Sequence, residues 1–189
     1  MSAIVVKDGE TAEENVDFST GTVELTVTTN GKPLKARTYI QHADNHKEAA
    51  RDGTNGKGIA SYTIPVGEYR IKVRPDGISA PDHYIDDVTV NAGETTAKAL
   101  EIASGTARIK VTAGGKPLKA RTYIQHADSH KEAARDGTNG DGIASYTIPV
   151  GEYRIKVRPD GIKADDRYVE QVIVSPAETT EVSLDFTVD

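Results

Sequence analysis

The stretch QHADNHKE places His42, Asp44, His46 and Glu48 close together, and the same order returns as His126, Asp128, His130 and Glu132. Imidazole nitrogens beside carboxylate oxygens form a donor set suited to zinc or nickel, and a step of four would align both histidines on a helix face. The flanking letters argue otherwise. Asp44 and Asn45 are turn formers, and a segment that crosses from one strand into the next loses that alignment. A solvated hairpin loop is therefore expected, with His42, His46, His126 and His130 as the residues a metal reading would use.

RDGTNGKG, from Arg51 to Gly58, has a calcium-loop flavour. It lacks the regular series of oxygen ligands and the closing acid that calcium requires. A tight hairpin accounts for it. Catalytic sets are no better supported: Ser61 and Ser145 have no nucleophile-elbow glycines around them, and His83 is matched by Arg167 in the other copy. With no cysteine in the chain, thiol chemistry, disulfides and thiolate metal sites are all excluded. The chain reads as non-catalytic, with no cofactor expected.

Recognition has a clearer candidate. In EYRIKVR, alternation puts Arg70, Lys72 and Arg74 on one side of a strand, and Arg37 and Tyr39, with Gln41, line a neighbouring one. The second copy gives Arg121, Tyr123, Arg154, Lys156 and Arg158. Such a face could hold a sulfated or carboxylated glycan or an acidic protein, and two copies would multiply a weak affinity. The blander reading is a solvated sheet face whose cations pair with Glu48, Glu68 or Asp52.

Positioning these residues falls to short strands. Tyr69, Ile71 and Val73 share the face opposite the cations, and Val23, Leu25 and Val27 alternate in the same way, as do Ala60, Tyr62 and Ile64. Asn30-Gly31, Asp52-Gly53, Asn55-Gly56 and Pro75-Asp76-Gly77 supply turns between them. Seven strands follow for the first unit: 22–28, 35–42, 48–52, 59–65, 68–74, 84–90 and 95–102. The fold class is all-β, two tandem seven-stranded antiparallel β-sandwiches. A helix over NHKEAARDG is too short to be preferred, since Gly53 stops it.

The chain is an array. Residues 31–78 return as residues 115–162, 84 positions on, with differences only at Asn45/Ser129 and Lys57/Asp141. Beyond Ile78 the copies diverge while keeping a pattern, and the same register carried backwards places Ile4–Phe18 over the two tails. The expected division is 1–20 as tail strands of a preceding repeat, or as strands completing the first, then 21–104 and 105–189 as repeats. Pairing is expected to order Ile4–Phe18, and the parent protein is expected to continue upstream. The junction ALEIASGTARI contains no proline, so a short, direct strand-to-strand passage is expected.

The ordered string of GKPL, DGTNGKG, IPVGEYRIKV and AGETT resembles prealbumin-like β-sandwich repeats, the carboxypeptidase regulatory-like and Cna B-type domains of bacterial surface or envelope proteins. The resemblance covers both repeats and implies a stalk, accessory module or adhesin segment in the extracellular space or cell envelope. Cna B-type relatives often carry a Lys to Asn isopeptide bond. Here the best-placed lysine, Lys110, should point outward, and its counterpart is Thr26, so no such bond is expected.

A formal charge of -6, from 23 basic and 29 acidic residues, argues against general affinity for nucleic acid or anionic lipid. No apolar stretch approaches the length needed to cross a bilayer. The expected partners are therefore neighbouring repeats of the parent chain, with a glycan or protein ligand on the outer sheet face as the alternative role. Near-identical neighbours also carry a risk of strand exchange between chains.

Overall fold

The computed structural model describes residues 8, 9, 11 and 19–187, so the expected ordering of Ile4–Phe18 lies outside the described residues. Alternation becomes strand pairing throughout them, and no helix forms. The first module runs β1 Thr20–Thr29, β2 Lys32–Pro33, β3 Ala36–His42, β4 Glu48–Gly53, β5 Ile59–Pro65, β6 Gly67–Pro75, β7 His83–Val90 and β8 Thr95–Glu101. The second repeats the series as β9 Ser104–Ala113, β10 Lys116–Pro117, β11 Ala120–His126, β12 Glu132–Gly137, β13 Ile143–Pro149, β14 Gly151–Pro159, β15 Arg167–Val174 and β16 Thr179–Phe186.

Each module is two four-stranded sheets face to face. One holds β1 with β2, β5 and β8, and the other has the order β4-β3-β6-β7. Val23, Leu25 and Val27 from the first sheet meet Ile40, Ile71 and Val73 from the second, all 0% exposed. The second module has its own apolar cluster around Ile109, Val111, Ile124, Ile155 and Val157. All seven expected strands of the first module are present. An eighth, β2, escapes alternation because it is only two residues long, held to β1 by an Asn30-Gly31 turn in which both residues have positive φ.

The all-β sandwich class holds, and within it one ladder per module is parallel where antiparallel pairing was expected. The β8 strand runs alongside β1 from Thr22↔Thr95 to Thr28↔Glu101. The β16 strand does the same with β9 from Thr179↔Thr106 to Phe186↔Ala113. Alternation sets which face a residue takes but says nothing of which strand lies beside it. The first and last strands of each module are thereby direct neighbours.

Only Ile102 and Ala103 separate β8 from β9, and they are clasped. Thr29 Oγ1 donates to the Ile102 carbonyl at 2.7 Å and lies 2.9 Å from Ser104 Oγ. Asn30 Nδ2 donates to the Ser104 carbonyl at 2.7 Å, while Ser104 N–H donates back to Asn30 Oδ1 at 3.2 Å. Farther out, Ser79 N–H donates to the Thr147 carbonyl at 2.9 Å, joining the β6–β7 loop to the β13 edge. A cleft of about 630 Å³ lies between the modules, lined by Pro81, His83, His126, Asp128, Val150 and Tyr153 among others.

Candidate functional site

The outer face of the β4-β3-β6-β7 sheet gathers the expected cations. Antiparallel register sets Arg37 opposite Arg74, Tyr39 opposite Lys72 and Gln41 opposite Arg70. In the second module Arg121 faces Arg158, Tyr123 faces Lys156 and Gln125 faces Arg154. Their inward neighbours Thr38, Ile40, Ile71 and Val73 are fully buried, which fixes the orientation of the row.

Much of this charge is already neutralised. Asp82 accepts from Arg74 Nε at 2.9 Å and Nη2 at 3.1 Å, and its other pairing is with Lys72 Nζ at 2.8 Å. Hydrogen bonds from Arg74 and Lys72 hold the Asp82 carboxyl down at about 2. Asp166 does the same for Arg158 and Lys156, with its own carboxyl lowered. The partners expected from sequence were Glu48, Glu68 and Asp52, and none of them serves these cations. Glu48 reaches Arg51, Glu68 accepts from Thr89, and Asp52 accepts its neighbour's N–H at Gly53.

Sequence reasoning missed Asp82 and Asp166 although a signal was there: between GISAPDHY and GIKADDRY the residues on either side of this acid change, Pro81 to Asp165 and His83 to Arg167, while the acid itself is kept. Tyr84 was missed as a site residue too. Register places it opposite Lys72, and the Arg70 guanidinium sits 4.5 Å from its ring centroid. Arg154 lies 4.1 Å from the Tyr168 ring and 3.0 Å from a Glu170 oxygen, a separation for an ion pair without hydrogen-bond alignment.

Among the described residues Arg37, Arg121 and Arg70 pair with no acid, but Arg70 is engaged by Gln41 and the Tyr84 ring. Arg37 and Arg121 instead each border a shallow depression beside a tyrosine. Arg37, Tyr39, Arg51, Asp52 and Gly53 line one of about 340 Å³. Arg121, Tyr123, Arg135 and Asp136 line its counterpart of about 390 Å³. These two cations thus stand at the β3–β4 corner, away from the Asp82 and Asp166 bridges.

The histidines take separate places. His42 ends β3 with its ring 5.2 Å from that of Tyr69, and His126 stands 5.5 Å from Tyr153. His46 and His130 sit in the following turns at positive φ, each donating its backbone N–H to the histidine four residues earlier. Among the described residues no group of three or more His, Asp or Glu comes together to hold a metal. In the DGTNGKG turn the oxygens are engaged by backbone: Asn55 Oδ1 accepts from Lys57 and Ile59, and Thr54 Oγ1 bridges Ala36 and Leu34. Lys110 is exposed, the outward orientation its place in the alternation implied.

No family profile matches the chain, and no curated protein matches it. Among solved structures it is similar to the minor pilin GBS52 of Streptococcus agalactiae, at 12% identity over 89% of this chain and 96% of that one, with a TM-score of 0.47. It is similar to the shaft pilin SpaA of Lactobacillus rhamnosus GG at 11% identity, over 90% and 99% of the two chains, with a TM-score of 0.46. The Bacillus anthracis TIE protein is similar at 24% identity over 88% of this chain, with a TM-score of 0.38. This chain spans only 34% of the TIE protein's length. No residue's role is carried over from any of them.

Proposed function

We propose that the chain is a load-bearing spacer: tandem β-sandwich modules that hold another part of a larger bacterial surface or envelope protein at a distance. The observation that carries this is the parallel pairing of each module's terminal strands. Tension applied along the chain enters the first module at the start of β1 and leaves at the end of β8, two strands that lie side by side and run the same way. Every bond of the ladder is then loaded in shear at once, whereas antiparallel terminal strands would open one bond at a time. The β9/β16 pair repeats the arrangement. The clasp of Thr29 and Asn30 on Ser104 carries load straight from one module to the next.

Single-molecule pulling tests this. Stretching the full chain through its ends should unfold each module at a markedly higher force than handles at Ser19→Cys and Val66→Cys. Those two positions flank the open end of the antiparallel β1/β5 pair, where Thr20 faces Pro65, so pulling there unzips it. Equal forces in the two geometries would refute a load-bearing role.

A second reading is favoured by one observation: Arg37 and Arg121, which pair with no acid among the described residues, stand beside Tyr39 and Tyr123 in matching depressions. A sulfated or carboxylated glycan suits that corner, and two sites on one chain supply avidity. Binding to an array of such glycans that disappears in the Arg37→Ala/Arg121→Ala variant supports it, and an empty array removes it.

A further inference from the structure

The two modules share more than a linker. Ser79, in the loop after β6, donates its N–H to the Thr147 carbonyl on the exposed edge of β13. Gly77, Ile78 and Ser79 face Arg135, Asp136, Ser145 and Thr147 across this seam. Ile78, against this seam, is only 8% exposed, while its counterpart Ile162 is more open.

The Thr147 carbonyl is available for a simple reason. Thr106, its partner on β9, sends its N–H to Glu178 on the opposite side, so Thr106 and Thr147 form a non-hydrogen-bonded pair. Thr147 must therefore direct its own backbone groups off the sheet edge. The first module reproduces each of these conditions. Thr63 faces Thr22, and Thr22 N–H goes to Glu94. Thr63 thus presents the same outward carbonyl, and no donor among the described residues reaches it. Around it stand Arg51, Asp52, Ser61 and Tyr62, residue for residue the set that receives Ser79 in the second module.

The receiving face is thus repeated without change, whereas the donating loop is not. Ser79, Pro81 and His83 become Lys163, Asp165 and Arg167. Near-identity of the copies ends where one of them meets its neighbour. From this we infer that the β5 edge of the first module is a docking site for a Gly-Ile-Ser-Ala-Pro loop on another sandwich repeat of this kind, so that the contact extends head to tail along an array. A head-to-tail contact that does not close on itself builds an open filament. The docking rests on the spacer reading and supplies its stiffness.

The test uses a chain in which residues 20–103 are duplicated in tandem, with the rest left intact. The absence of native cysteine permits clean spin labelling at single introduced cysteines. Labels replace Lys57 and Asp141, which occupy equivalent exposed hairpins, and electron-spin distances are measured for each neighbouring pair. The leading pair should match the existing pair in mean distance and width. A control chain carries Ser79→Lys, Pro81→Asp and His83→Arg in the leading repeat only, substitutions the second module already accommodates at the equivalent positions. There the leading distribution should widen while the other stays narrow.

A wide leading distribution in the unmodified three-repeat chain overturns the docking. So does a control as narrow as its parent, because the linker clasp alone would then set the geometry. Either failure leaves the pulling result on the parallel ladders untouched, so the two ideas fall separately.

Discussion

Lys98 on β8 occupies the position that Val182 holds on β16, and both point toward the interior of their own module. The inward row of β8 is Thr96, Lys98 and Leu100, all half-buried, whereas Val182, Leu184 and Phe186 on β16 are buried. Lys98 Nζ donates to the Asp87 carbonyl at 3.3 Å. The first module therefore has the weaker interior along its last strand, and Lys98→Val should stabilise it by about 1 kcal/mol. Urea unfolding is expected to show the first module melting before the second in the native chain, with the gap narrowing in the variant. A lower midpoint for Lys98→Val would mean that the Asp87 contact outweighs the added apolar burial.

Asp82 ties the outer face to acid stability. Its carboxyl falls to about 2 in the folded module, against an ordinary value near 4. A depressed carboxylate contributes stability that is full above the unfolded value and is lost as pH falls from about 4 through about 2. Asp82→Asn should remove that acid limb and cost about 1 kcal/mol at neutral pH, since the bridged side chains are partly exposed. Carboxyl-carbon NMR titration checks the first statement directly. A midpoint near 4 for Asp82 would show that the Lys72 and Arg74 contacts do not persist in solution. The double variant Asp82→Asn/Asp166→Asn should also strengthen binding of heparin-like polyanions by uncovering four cations.

Gly105 begins β9 where the β15–β16 turn passes over it. A methyl group there would lie 2.2 Å from the Ser175 carbonyl oxygen and 2.8 Å from Val174 Cγ1, and neither can yield without moving backbone or core. Gly21 is in the same position beneath Asn91. Gly105→Ala should destabilise the second module by about 2 kcal/mol or more, through overpacking and without backbone strain. Calorimetry should show one transition shifted down and the other in place. An unshifted transition would mean that the turn relaxes freely.

Strand positions and faces were legible because Val23-x-Leu25-x-Val27 and Tyr69-x-Ile71-x-Val73 commit their whole strands to one orientation. Partners were not legible, since the residues of β8 carry no mark of running parallel to β1. The β7 strand shows a further limit. Ile85 and Val88 both face inward although their spacing is odd, because Asp87 adopts φ 55 and the register against β6 shifts there. A bulge of this kind breaks the period on which the reading depended. At the candidate site alternation placed the cations correctly, but their neutralisation by Asp82 comes from a loop, where periodicity has no purchase.

Tyr146 and Thr122 form a buried polar contact in the second interior. The Thr122 and Tyr146 hydroxyls lie against each other, and the two protons they carry are shared among this contact, the Asp136 carbonyl and, at 3.0 Å from the Tyr146 oxygen, the Thr122 carbonyl. Burial pushes the Tyr146 phenol up to about 12, and Tyr62, Tyr69 and Tyr153 are raised for the same reason. A phenol whose folded value lies above the unfolded one contributes stability that is intact below about pH 10 and is lost as pH rises through about 12. Phenolate absorbance should therefore show these four tyrosines ionising above the ordinary value near 10. Tyr146→Phe should cost about 1 kcal/mol at neutral pH, because Thr122 loses a partner within the core. That variant should also weaken less steeply between pH 10 and 12 than the native chain. Ionisation of Tyr146 near pH 10 while the native chain stays folded would show that water reaches its hydroxyl and that the sandwich interior is open there.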